Sequence, residues 1–347
     1  MGLLDIFKKM TGKEKEFNRV NDLLNRLIKG PNPPLIEPEL QRMNYSSLSE
    51  KEKEKWHEVY AVEAFRRHDR AEALKRFQEG YKLFPDSSGI IFGLGQEYSV
   101  IGDVEKMIAM FDKLDFPGVS GNHIIKASTC CYLWDRHDKS IEYLMRLLKH
   151  YYDYGFADPT FLYLRKLPAY DDLWANLGVA FELTNNLDEF MKITCESKLR
   201  LREYHFDRFI TFLECVQNDN YEKVIKQSHE YRENCNRKKI SDTYEDYNSV
   251  RLAVLEARSA NSHLEAERIL DQVQIVSKDR GWYDGVLLLA KCGLANKFGD
   301  LQKENVLRAE WLSEPRALLN PDTLFHFRLI HYQELIKKEY LKRITTR

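Results

Sequence analysis

Apolar residues along this chain fall at helical spacing in block after block, and small residues interrupt them at regular places. From Trp56 to Pro85 the sequence reads WHEVYAVEAFRRHDRAEALKRFQEGYKLFP, with Ala61, Ala64, Ala73 and Gly80 small, Phe77 large and a closing proline. From Ile91 to Leu114 it reads IFGLGQEYSVIGDVEKMIAMFDKL, carrying Leu94, Gly95, Tyr98, Phe111 and Leu114. Gly95 follows Ala61 by 34 residues, and Phe111 follows Phe77 by the same 34. Two helices that pack antiparallel at close range need a small residue on each where they cross. Large residues such as Tyr98 and Phe111 then fill the gap to the next unit. Gly102 and Asp103 predict the turn between the two helices of a unit, with Asp103 capping the second.

Weaker copies follow in register. Ala127, Ser128, Cys131, Ser140 and Leu144 mark a third, and Trp174, Leu177, Gly178 and Phe181, in LWANLGVAFELTNNLDEF, a fourth. Phe212, Cys215, Val224 and Ser228 mark a fifth; Val254, Ala257, Ala266, Leu270 and Val273 a sixth; Cys292, Ala295, Gly299 and Asp300 a seventh. The pattern W-x2-L-G-x2-aromatic, then A-x3-F and a proline at a 34-residue period, resembles the tetratricopeptide repeat. The resemblance covers about residues 51 to 312. It implies an all-α fold, an α-α superhelix built as a right-handed solenoid of helix-turn-helix repeats.

Flanking segments divide the chain further. Residues 1–50 hold an amphipathic start, a helix over about Lys15 to Lys29 and the stiff linker GPNPPLIEP from Gly30 to Pro38. Repeats 1–3 take residues 51–154, with Ser47 or Ser49 as the opening cap. Residues 155–171, with Pro159 and Pro168, fall outside the period and read as an irregular hinge. Repeats 4–7 take 172–312. In 313–347, Leu324, Phe327, Ile330, Leu335 and Tyr340 mark a terminal helix behind Asn320-Pro321-Asp322, there to cap the last apolar face.

Composition sharpens this picture. The 16 glycines and 10 prolines are few against an average of about 12% for the two together, which favours helix over hairpins. Lysine and arginine total 53 against 54 acidic residues, a net charge of -1, whereas a general nucleic-acid binder carries a basic excess. The six cysteines form no CxxC pair or regular framework and read as reduced. No signal-peptide order and no run of about 18 apolar residues is present, so the expectation is a cytoplasmic chain. Leu3, Ile6, Phe7 and Met10 share a helical face with Lys8, Lys9, Lys13 and Lys15 behind it. Residues 1–11 therefore either touch an anionic membrane weakly or dock as a cap.

Catalytic signatures are missing. Gly93-Leu94-Gly95 lacks the preceding strand and third glycine of a dinucleotide loop and reads as helix packing. There is no phosphate loop, zinc helix or nucleophile elbow. His326 and His331, five apart, do not share a helical face for metal ligation. Cys130-Cys131 with Trp134 and His137 has the residue types of a thiol site, but Cys131 occupies a small-residue packing position. The basic clusters Arg200–Arg202, Arg237–Lys239 and Lys337–Arg343 read as solvated faces. The expectation is no enzyme, no metal and no cofactor; an enzyme site in the irregular segment 155–171 is the remote alternative.

In the family resembled, the first helices of successive repeats line a groove that receives a segment of another protein. Carried over by register, that wall is Phe92, Gln96, Ser99, Ile125, Thr129, Tyr132, Val179, Glu182, Phe209, Arg251, Leu255 and Arg258. Phe92, Tyr132 and Phe209 are the candidate aromatic anchors. The subclass that clamps a C-terminal carboxylate with Lys and Asn is disfavoured, since Glu58, Val62 and Gly93 stand at those positions. The function expected is a scaffold or adaptor binding a protein or peptide, with no nucleic acid; a membrane-peripheral scaffold held by the N-terminal helix is the alternative.

Overall fold

In the computed structural model the described residues are 20, 23, 36–114, 119, 121–154, 169–201, 205–238, 245–276, 280–313 and 321–345. They are all-α, with no strand among them. The N-terminal face over residues 1–11 and most of the irregular segment, 155–168, lie outside the described residues. The chain forms two compact units, residues 1–130 and 131–346.

The first unit contains α1 (Glu37–Gln41), α2 (Glu50–Arg66), α3 (Arg70–Leu83), α4 (Ser88–Ile101), α5 (Val104–Phe111) and most of α6 (Gly121–Leu133). Local chemistry sets the helix starts. A Ser49–Glu52 capping box opens α2, and the carboxylates of Asp69 and Asp103 accept from the backbone of Glu72 and Lys106 to open α3 and α5. Gly102 ends α4 at φ 79°, a left-handed conformation that costs glycine nothing. Helix α2 packs on α3, α3 on α4 and α4 on α5. The small residues lie where the helices cross: a methyl added at Gly93 or Gly95 would enter the ring of Phe77 or Phe111.

The Pro-rich linker ends sooner than its sequence suggests, because Pro38 sits in the first turn of α1, where its missing N–H costs nothing. Val20, Leu23, Ile36 and Leu40 bury against Val59 of α2. Buried Glu63 of α2 accepts from the backbone N–H of Ile36 and Glu37, each at 2.8 Å, so its carboxylate meets the positive end of α1. Arg76 completes the cap. It donates to Glu72 at 2.7 Å and to Glu63 and Glu37 at 3.3 Å each, and stacks over Tyr60.

The second unit contains α7 (His137–Tyr154), α8 (Ala169–Leu183), α9 (Leu187–Leu201), α10 (His205–Asn218), α11 (Glu222–Lys238), α12 (Glu245–Ser259), α13 (His263–Asp271), α14 (Arg280–Lys297), α15 (Leu301–Ser313), α16 (Pro321–His326) and α17 (Gln333–Thr345). The pairs α8–α9, α10–α11, α12–α13 and α14–α15 pack internally and against the next pair in order. Except between α12 and α13, the turns inside the pairs repeat one geometry. A left-handed residue occurs at Asp135, Asn185, Asp219 and Gly299, as at His68 and Gly102 earlier, and Asn, Asp, His and Gly tolerate that conformation best. After each, the next backbone N–H reaches back five residues, as from Asn186 to Phe181 and from Asp300 to Ala295.

The C-terminal segment departs from the pattern. An end cap belongs on the last pair, yet α16 packs most extensively on α8. The reason lies in its side chains: Leu324, Phe325, Phe327 and Leu329 are all buried. A segment apolar on every side has no polar back to show to water and must be covered on both faces.

Candidate functional site

The residues predicted to form an inner wall lie on α4, α6, α8, α10 and α12, each the first helix of its pair. In the first unit that wall is largely packed. Phe92 is buried and stacks on His123 with centroids 4.3 Å apart. Burial, reinforced by Lys126 and Lys55, pushes the His123 imidazole down to about 4, so this pair is uncharged at neutral pH. Ser99 and Ile125 are buried as well. Gln96 and Thr129 are half-buried, Thr129 turning its hydroxyl back to the Ile125 carbonyl at 3.0 Å. Phe92 is thus a packing residue in this structure, with no face free to anchor a partner.

In the second unit the wall is covered by the chain's own C-terminal segment. Arg328 donates to both carboxylate oxygens of Glu182 through Nη1, at 2.6 and 2.9 Å, across 146 residues of sequence. Burial would weaken its charge, but Glu182 and the Tyr221 hydroxyl outweigh that and hold the guanidinium above its ordinary pKa. Phe325 enters a nest of rings, 5.4 Å from Phe212, 6.3 Å from Phe209 and 6.4 Å from Phe190. Gly178 makes the room: a methyl there would lie 2.8 Å from the Phe325 ring and 3.1 Å from Phe190. His326 stacks on Phe212, and Phe327 meets Tyr247 edge-on at 5.1 Å.

Beyond Arg328 the segment runs along α14, where Gly293 lets His331 and Tyr332 approach. Lys337, 4% exposed, pairs with Asp135 and Glu334. The sequence places Lys337 in a solvated basic cluster, whereas its stem is covered and its ammonium pairs with the exposed carboxylate of Asp135 in the turn before α7. Tyr132 is buried beside Gln333, with its hydroxyl pKa raised chiefly by burial. Val179 and Leu255 are fully buried. Arg258, with Phe327, Arg328 and Leu329, lines a cleft of about 10 Å³, room for about one water. Arg251 stacks over Phe212. Phe209, half-buried, is the one predicted anchor that contacts this segment with part of its ring exposed.

A second cleft, about 80 Å³, lies between α10, α11 and α12. Arg208, Arg232 and Arg251 line it with no carboxylate among its walls, and Arg208 stacks on Tyr231. His326 packs on the ring of Phe212 and His331 on that of Tyr332. Among the described residues no group of three or more His, Cys, Asp or Glu is placed to hold a metal ion, and no helix is long and apolar enough to cross a membrane. Burial pushes the Cys130 thiol up to about 11 and that of Cys292 to about 12, so neither is ionised near neutrality.

Sequence reasoning misses the covering of this wall, and one signal points to it. Leu324, Phe325, Phe327 and Leu329 are too apolar in all directions for a terminal cap with a wet back. The chain matches no protein-family model, no curated protein and no solved structure.

Proposed function

We propose that the helix pairs are tetratricopeptide-like repeats and that the protein is a non-enzymatic scaffold whose first-helix faces bind a segment of another protein. The observation that carries this reading is the arrangement on α8, α10, α12 and α14. Those faces hold a short helix-turn segment by an aromatic nest and a guanidinium–carboxylate ion pair, the elements by which interfaces anchor a peptide. Two further features support it. The balanced charge suits a protein partner better than nucleic acid, and the raised Cys130 and Cys292 thiols are poor nucleophiles.

The test is site-specific photo-crosslinking in the native cell. A photoreactive phenylalanine replaces Gln96 or Thr129 on the inner side, or Lys75 on α3 as the control. The expected result is one protein captured from both inner positions and absent from Lys75. Capture at Lys75 alone, or at none of the three, contradicts the reading.

A further inference from the structure

We infer that residues 321–345 are a resident ligand of the second unit, held in competition with a partner protein whose own helix-turn segment carries the sequence aromatic–any–aromatic–Arg–Leu. This rests on the scaffold reading and adds to it the recognition chemistry and its control.

Four observations lead here. The segment touches the first helices of successive pairs, at Gly178 and Glu182, at Phe209 and Phe212, at Tyr247, and at Gly293. It therefore lies across the wall from α8 to α14 and not on the last pair alone. Its chief polar contact is a part-buried ion pair, with Arg328 Nη1 on both oxygens of the Glu182 carboxylate, which a purely apolar plug would not need.

Arg328 also sits at φ 54°, and the following N–H of Leu329 reaches back to the Leu324 carbonyl at 2.7 Å. The segment thus folds with the same left-handed turn as the helix pairs, but with a side chain that disfavours it. Such strain persists where the surroundings over-determine it, as a clamp does.

Finally, the fit is incomplete. Arg328 Nε and Thr323 Oγ1 are buried with no hydrogen-bond partner. These atoms belong to the segment itself and gain water when it leaves, so releasing it costs less than releasing a saturated one.

The probe is a fluorescein-labelled peptide of residues 321–337, titrated by anisotropy into the full chain. Tethering gives the resident segment an effective concentration on the order of millimolar. Wild-type protein is therefore expected to bind the peptide on the order of 100-fold more weakly than a Phe325→Ala/Arg328→Glu chain, whose segment is released while the wall is unchanged. Adding Glu182→Arg to that chain abolishes binding, and a peptide carrying Arg328→Glu restores it.

Helix content by circular dichroism is checked first. A released chain that keeps its fold yet binds no peptide overturns the inference, and so does one that loses the fold of the second unit, since the segment is then core. Hydrogen exchange on the wild type gives an independent reading. Amides of 323–337 should open separately from α8 and α10, and exchange in step with those helices counts against the proposal. A wild-type dimer that the released chain cannot form would assign the wall to a second copy's segment and overturn the partner. In each of these cases crosslinking at Gln96 still decides the scaffold reading on its own.

Discussion

Gly95→Ala tests whether the small residues of the repeat stand where helices cross. On α4 the added methyl would lie within 3.0 Å of three carbons of the Phe111 ring, and Phe111 is itself 1% exposed. The ring has no free side to move into. Overpacking of this kind costs about 1–3 kcal/mol, and the closeness of the clash puts it near the top. Alanine regains about 1 kcal/mol of helix propensity over glycine, which leaves a net loss of about 2 kcal/mol. Gly89→Ala, on the same helix, is the control. Its methyl meets the Glu58 carboxylate at 2.5 Å, the far end of a flexible side chain that can swing aside, for a net change within about 0.5 kcal/mol. Hydrogen exchange of α4 and α5 amides isolates the first unit. A loss of about 2 kcal/mol accelerates their slowest exchange about 30-fold. If Gly95→Ala exchanges no faster than wild type and tracks Gly89→Ala, the helices do not meet through this glycine.

Two further perturbations address buried carboxylates. Burial pushes the Glu97 carboxyl up to about 7 despite Arg70 at 3.2 Å. Its folded pKa lies above the unfolded 4.5, so folding takes up a proton; that stabilisation is complete below pH 4.5 and lost as pH rises through 7. Urea melts of Glu97→Gln at pH 5 to 8 should show a flatter slope across that window, and an unchanged slope refutes the assignment. Glu63→Ala strips the carboxylate from two N–H groups at the start of α1 and from Arg76. Because Arg76 keeps Glu72 and Glu37, the cost is about 2–3 kcal/mol, below the full loss of a buried pair. Exchange at Ile36, Glu37 and Leu40 should quicken while α5 stays protected; equal protection throughout would show that Glu63 does not hold the cap.

The amino-acid sequence by itself determined the repeating unit. Period, small-residue positions and turn residues are local signals, each read within one helix pair: Ala61 and Gly95 set the approach, Phe77 and Phe111 fill it, and Gly102 with Asp103 makes the turn. Register carried over from the repeat family that these helices resemble predicts Glu182, Phe209, Arg251 and Arg258 on one face. What covers that face was decided only in the tertiary structure, because Arg328 finds Glu182 across 146 residues and Lys337 finds Asp135 across 202. No periodicity encodes such a pairing; it depends on chain path and on shape. The same holds for Phe92 and Tyr132, whose register was legible but whose exposure was not, since burial depends on which rings and helices arrive opposite them.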